Sequence, residues 1–121
     1  MNVDDAEMNS YWNKEELLKR VMDNPALVNT LLNVFIEDMP KILINLMLAV
    51  EENNFEQVVV EAHNLKGSSY NLTVNQIGDL AKEIEEFGKE RNLTKINALL
   101  PTLIEQLDNT IDHFKSILTK G

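Results

Sequence analysis

Apolar residues recur three and four positions apart along almost the whole chain, a spacing that lines one face of a helix and predicts helices throughout. Asn13, followed by Lys14, Glu15 and Glu16, reads as an N-cap with an acidic first turn, and Leu17, Leu18, Val21 and Met22 form the stripe of a short first helix. Asn24-Pro25 pairs a capping residue with proline at the first helical position. A long second helix follows through Leu27, Leu31, Val34, Phe35, Ile42, Leu46 and Val50, with a bend expected at Pro40, where a backbone donor is missing. The third helix starts near Asn54 and carries Phe55, Val58, Val59, Ala62, Leu65, Ser69 and Leu72. Thr73 with Gln76 reads as a capping box for a fourth, which turns Ile77, Leu80, Ala81, Ile84 and Phe87 inward and ends at Gly88 or Asn92. Thr94 caps the last stretch, from Ile96 to Leu118, in which Pro101 forces a bend or a fresh start. The pattern predicts an all-α fold: an antiparallel, up-down-up-down four-helix bundle with a short extra N-terminal helix.

The length, 121 residues, fits a single domain, divided into an acidic N-terminal leader over 1–12 and a bundle over 13–119. A formal charge of -9 repels the phosphate backbone, so nucleic acid is excluded as a partner class. With no cysteine there is no disulfide, thiolate metal site or cysteine nucleophile, and a reducing compartment suits the chain. Met1 to Ser10 lacks the basic-then-apolar build of a signal peptide, and no apolar run approaches about 18 residues. The expectation is a soluble, cytoplasmic chain without direct membrane contact.

The segment Ala62-His63-Asn64-Leu65-Lys66-Gly67-Ser68-Ser69 carries the candidate chemistry. Gly67 costs a helix interior roughly 1 kcal/mol relative to alanine, so helix stability does not select it. Helical side chains lean toward the N-terminus, which places the residue four positions after a histidine over its imidazole. A bare glycine there leaves room for a bulky group to reach His63. Lys66, three residues on, brings an ammonium to the same surface, where it can meet a phosphoryl oxygen. His63, one step round from Ala62, sits at the rim of the core face, and a neutral imidazole has a free nucleophilic nitrogen. Its other nitrogen needs a neighbour that fixes the tautomer, and a polar side chain from the fourth helix, such as Glu85, is a candidate. Ser68 and Ser69 have no accompanying base, and Ser69 falls on the apolar stripe as a packing residue. His113 has no companion at ligand spacing and reads as a surface residue, and Met22, Met39 and Met47 read as core filler.

This segment resembles the A-H-x-L-K-G-S-S signature of histidine-containing phosphotransfer domains of multistep two-component phosphorelays. The likeness extends upstream, where Phe35 to Pro40 resembles the family's Phe-x-x-Asp-x-Pro stretch, and downstream, where Leu80 to Glu85 resembles its L-A-x-x-x-E helix. The resemblance implies a phosphocarrier without turnover of its own, with His63 as phosphoacceptor, Lys66 as phosphoryl-stabilising cation and Gly67 as access residue. It further implies, as partners, receiver domains of response regulators or hybrid sensor kinases, which supply the magnesium; this chain has no cofactor and acts as a monomer. If the parent is a hybrid kinase, the chain is its cytoplasmic end. Two positions depart from the family: Thr73 stands where a glycine is usual, which reshapes the turn between helices, and Glu85 where a glutamine is frequent. An anionic Glu85 repels a phosphoryl unless Lys66 or Lys82 screens it or it points elsewhere.

Other classes share some of these features. A helical adaptor binding a partner helix needs neither Gly67 nor Lys66. A histidine kinase dimerisation domain comes with an ATP-binding domain, of which no glycine-rich loop is present, and an acyl carrier needs an Asp-Ser-Leu attachment site that is absent.

Overall fold

In the computed structural model, which describes residues 12–120, an asparagine opens four of the five helices. These are α1 (Lys14–Arg20), α2 (Pro25–Glu51), α3 (Phe55–Asn71), α4 (Asn75–Lys89) and α5 (Leu93–Lys120). Oδ1 of Asn13, Asn24, Asn54 and Asn92 accepts from the backbone N–H of Glu16 (3.0 Å), Leu27 (3.2 Å), Gln57 (3.2 Å) and Lys95 (3.2 Å), respectively. Each such cap satisfies one orphan donor and contributes about 1 kcal/mol. The cap of α5 is thus Asn92, two residues before the Thr94 expected from sequence. Both interior prolines lie inside continuous helices, so α2 passes through Pro40 and α5 through Pro101 without a new start.

The long helices pack in a ring, α2 on α3, α3 on α4, α4 on α5 and α5 back on α2, with α1 laid against α2. This is the predicted bundle with its extra N-terminal helix. Phe35 and Phe114 meet edge to face at 5.3 Å in the core, and Trp12 packs on Phe114 at 4.7 Å. Trp12, which the sequence places at the end of the leader, is buried and donates its indole N–H to the Leu72 carbonyl at 2.9 Å, closing the end of α3. The rest of the leader, 1–11, lies outside the described residues. Of the methionines read as core filler, Met39 is fully buried, whereas Met22 and Met47 are exposed, as are Leu27 and Val34 of the expected α2 stripe.

The turn between α3 and α4 differs from the expected capping box. No side chain caps α4, and Thr73 adopts φ 59°, the left-handed region that favours glycine. Its buried hydroxyl lies 2.6 Å from both the Asn13 and the Leu72 carbonyl oxygens, and the Asn13 N–H donates back to the Thr73 carbonyl at 3.0 Å. A threonine thus holds the glycine conformation because its hydroxyl ties the turn to the start of α1. Thr73→Gly, which relieves about 1 kcal/mol of strain while losing a hydrogen bond of about the same size, is expected to leave stability nearly unchanged. Thr73→Val keeps the strain and loses the bond, and urea denaturation should show it destabilised by about 1–3 kcal/mol; a wild-type midpoint would mean that the hydroxyl carries nothing.

Two buried glycines let α4 lie close to α3. A Cβ at Gly78 would collide with the ring of Tyr70, and one at Gly88 would stand 3.0 Å from Val59. Gly88 is therefore a packing residue inside α4, and the helix ends at Lys89. Burial, then the Asp79 carboxylate that accepts from the Tyr70 hydroxyl at 2.6 Å, push the Tyr70 pKa up to about 12, so the tyrosine keeps the proton that it donates across the two helices at neutral pH.

Candidate phosphoacceptor site

Ala62 and Leu65 are fully buried and fix the rotation of α3. That rotation leaves His63, between them, 64% exposed on the surface shared with α4. From α4, Glu85 reaches across with its side chain only 8% exposed, placing Oε2 at 3.3 Å and Oε1 at 3.4 Å from His63 Nδ1. The same carboxylate receives the Lys66 ammonium at 2.7 Å on Oε1 and the Lys89 ammonium at 3.6 Å on Oε2. Burial disfavours its charge, but the hydrogen bonds from Lys66 and His63 outweigh burial and hold its pKa below the ordinary 4.5.

An ionised carboxylate only accepts hydrogen bonds, so Nδ1 of a neutral His63 carries the ring proton and Nε2 carries the lone pair. The tautomer is thus set by a residue 22 positions away in sequence. A Cβ built on Gly67 finds nothing within 4 Å, so the glycine leaves open space beside the imidazole and answers to no packing contact. Lys66, 24% exposed, lies between the buried carboxylate and the surface.

Of the residues singled out from sequence, the structure brings together His63, Lys66, Gly67 and Glu85. Lys82 is exposed and does not pair with Glu85; Lys89, not noticed in the sequence, takes that place. The signal for it was present, since position 89 is four residues after Glu85 on one helix. Ser69 is buried with no partner for its Oγ, as suits a packing residue and not a nucleophile. His113 is partly buried, with its ring 5.9 Å from that of Trp12, and is more than the surface residue expected. Among the described residues no cluster of His, Asp and Glu could hold a metal ion, and no helix is long and apolar enough to cross a membrane.

Because folding lowers the Glu85 pKa, its contribution to stability is complete above the ordinary value of 4.5 and disappears as pH falls through the lower folded-state value. Glu85→Gln removes this dependence. The stability difference between wild type and variant should therefore shrink between about pH 6 and about pH 3 in paired denaturation curves, and a constant difference would show that the carboxylate's charge is not what matters.

An antiparallel bundle offering one oriented imidazole nitrogen beside an unobstructed approach defines a helical carrier class, whose task is to accept a group from a partner. The Hpt domain family model matches residues 30–116, and the chain belongs to that family of histidine-containing phosphotransfer domains. It is accordingly a histidine phosphotransfer domain of two-component phosphorelays, in which such domains work with receiver domains and histidine kinases as phosphocarriers. The fold is similar to that of histidine-containing phosphotransfer protein B (HptB) from Pseudomonas aeruginosa PAO1, with a TM-score of 0.85 and 21% identity over 92% of this chain and 96% of that one. It is also similar to the HPT domain from the Hpt sensor hybrid histidine kinase of Shewanella, with a TM-score of 0.80 and 19% identity over 92% and 96% of the two chains. No curated protein matches the sequence significantly.

Proposed function

We propose that the chain carries its phosphoryl group on Nε2 of His63, taking it from the aspartyl phosphate of one receiver domain and passing it to the aspartate of another. The observation that carries this reading is the pairing of Nδ1 with Glu85 while Gly67 leaves the ring's surroundings open. The Nε2 lone pair forms the N–P bond as the P–O bond to the donor aspartate breaks, and the donor leaves as a carboxylate. Nδ1 keeps its proton, the ring takes up positive charge, and the anionic Glu85 beside it stabilises that charge. Lys66, which pairs with Glu85 in the unphosphorylated structure, offsets charge on the phosphoryl oxygens once they are in place, and Glu85 lies on the opposite, Nδ1 side of the ring. Onward transfer is the same step reversed, with the receiver supplying magnesium and the acceptor carboxylate. The chain then acts as a monomeric cytoplasmic carrier with no cofactor and no turnover of its own, whether free or as the end of a hybrid kinase.

The adaptor reading leaves Gly67 without a purpose, because the glycine costs helix stability and accommodates no neighbour. The test is transfer from radiolabelled, phosphorylated receivers in magnesium, followed by acid and alkali treatment and mapping of the labelled peptide. Acid-labile, alkali-stable label within the peptide containing His63 is the expected result. An unlabelled chain across a broad panel of receivers would favour the adaptor.

A further inference from the structure

Three cationic or proton-donating groups surround one nearly buried carboxylate: His63 Nδ1 at 3.3 Å, Lys66 at 2.7 Å and Lys89 at 3.6 Å from Glu85. Two full positive charges for one negative is more than a resting ion pair needs. The lysines also divide the carboxylate, with Lys66 on Oε1 and Lys89 on Oε2. The Lys89 side chain is 62% exposed and borders a shallow groove between α3 and α4 lined by Phe55, Glu56, Val59, Gly88 and Arg91, so no packing holds its ammonium at 3.6 Å and its flexible stem can bring it closer to Glu85.

The arrangement creates a conflict that Lys89 resolves. Lys66, three residues after His63, is the cation placed to reach a phosphoryl on that ring, yet in the structure its ammonium is bound to Glu85. Withdrawing it leaves a carboxylate that is 8% exposed without its closest cation, which opposes the move. We propose that Lys89 is a reserve counter-ion for Glu85: when a phosphoryl forms on His63, Lys66 passes from the carboxylate to the phosphoryl oxygens and Lys89 closes on Glu85 in its place. Lys89 thus acts through Glu85 and Lys66 as a positioning residue and does not touch the phosphoryl. This rests on His63 being the acceptor, but it concerns a different residue and has a separate test.

Phosphoramidate supplies that test, because it is a small phosphoryl donor that needs no receiver. The Nε2 lone pair forms the N–P bond as the donor's P–N bond breaks and ammonia leaves. Initial rates of phosphorylation are compared for the wild type, Lys89→Gln, Lys89→Arg, Lys66→Gln and the Lys66→Gln/Lys89→Gln double variant. Lys89→Gln should slow the reaction by up to about five-fold, and Lys89→Arg should restore it. In the Lys66→Gln background, where no ammonium remains to be handed over, the Lys89 substitution should change the rate by less than about 1.5-fold. A charge acting merely through space would give the same factor in both backgrounds, and that result would overturn the proposal, as would a Lys89→Gln protein that reacts at the wild-type rate. A wild-type His63 that phosphoramidate does not modify would overturn it as well. If phosphoramidate labels His63 while no receiver does, the reading of the chain as a relay carrier falls and the Lys89 result still stands.

Discussion

His63→Gln is expected to abolish acid-labile labelling by phosphorylated receivers while leaving the unfolding free energy within about 0.5 kcal/mol of wild type. The imidazole is 64% exposed and contributes little packing, so its removal costs little. Glutamine retains an amide N–H able to donate to Glu85, which keeps the carboxylate satisfied. It offers no nucleophilic nitrogen, because the amide lone pair is delocalised into the carbonyl. Loss of activity would thus come without loss of fold, which circular dichroism and denaturation can document on the same samples. Retained label would move the acceptor to His113, the other histidine of the chain, and would dismiss the geometry around residue 63.

The second large effect is expected at Gly67, where stability and activity move in opposite directions. Gly67→Gln should stabilise α3 by roughly 0.5–1 kcal/mol, since glycine is a poor helix former and no neighbour obstructs a side chain there. The same side chain lies over the imidazole and holds a receiver's active site away from Nε2, and a displacement of about 1 Å costs transfer on the order of 100-fold. Phosphoramidate, being small, should be far less affected. A variant that is more stable, reacts with the small donor and fails with receivers would identify an obstructed approach. Equal losses with both donors would instead point to damage of the imidazole's setting, and wild-type transfer would end the access argument.

Local features of the fold were legible in the sequence where the physics is local. The caps at Asn13 and Asn24 and the start of the third helix near Asn54 depend on residues within one turn, and the stripes through Val58, Ala62 and Leu65 need only helical periodicity. His63, Lys66 and Gly67 share one helix surface and could be related by spacing alone. Features that depend on which helix lies alongside were not legible. Lys82 and Lys89 are both helical neighbours of Glu85, three residues before it and four after, and only the position of the carboxylate against α3 decides between them. Thr73 reads locally as a cap, yet its hydroxyl is taken by Asn13, 60 positions away in sequence. Gly88 reads as a helix end because the closeness of Val59 leaves no mark on its own surroundings in the chain.

Trp12 is the sole tryptophan of the chain, and its indole is held between the Leu72 carbonyl and the Phe114 ring. Leu72 follows the end of α3, nine residues after His63, which at 1.5 Å per residue puts the indole's anchor on the order of 13 Å along the helix from the phosphoacceptor. The protein therefore contains an intrinsic fluorophore that is expected to register whether the end of the bundle is intact and, at that separation, to respond little to events at the His63 imidazole. Emission that stays constant on phosphorylation but shifts to the red on unfolding would let folding and phosphoryl loading be followed as independent optical signals in one cuvette.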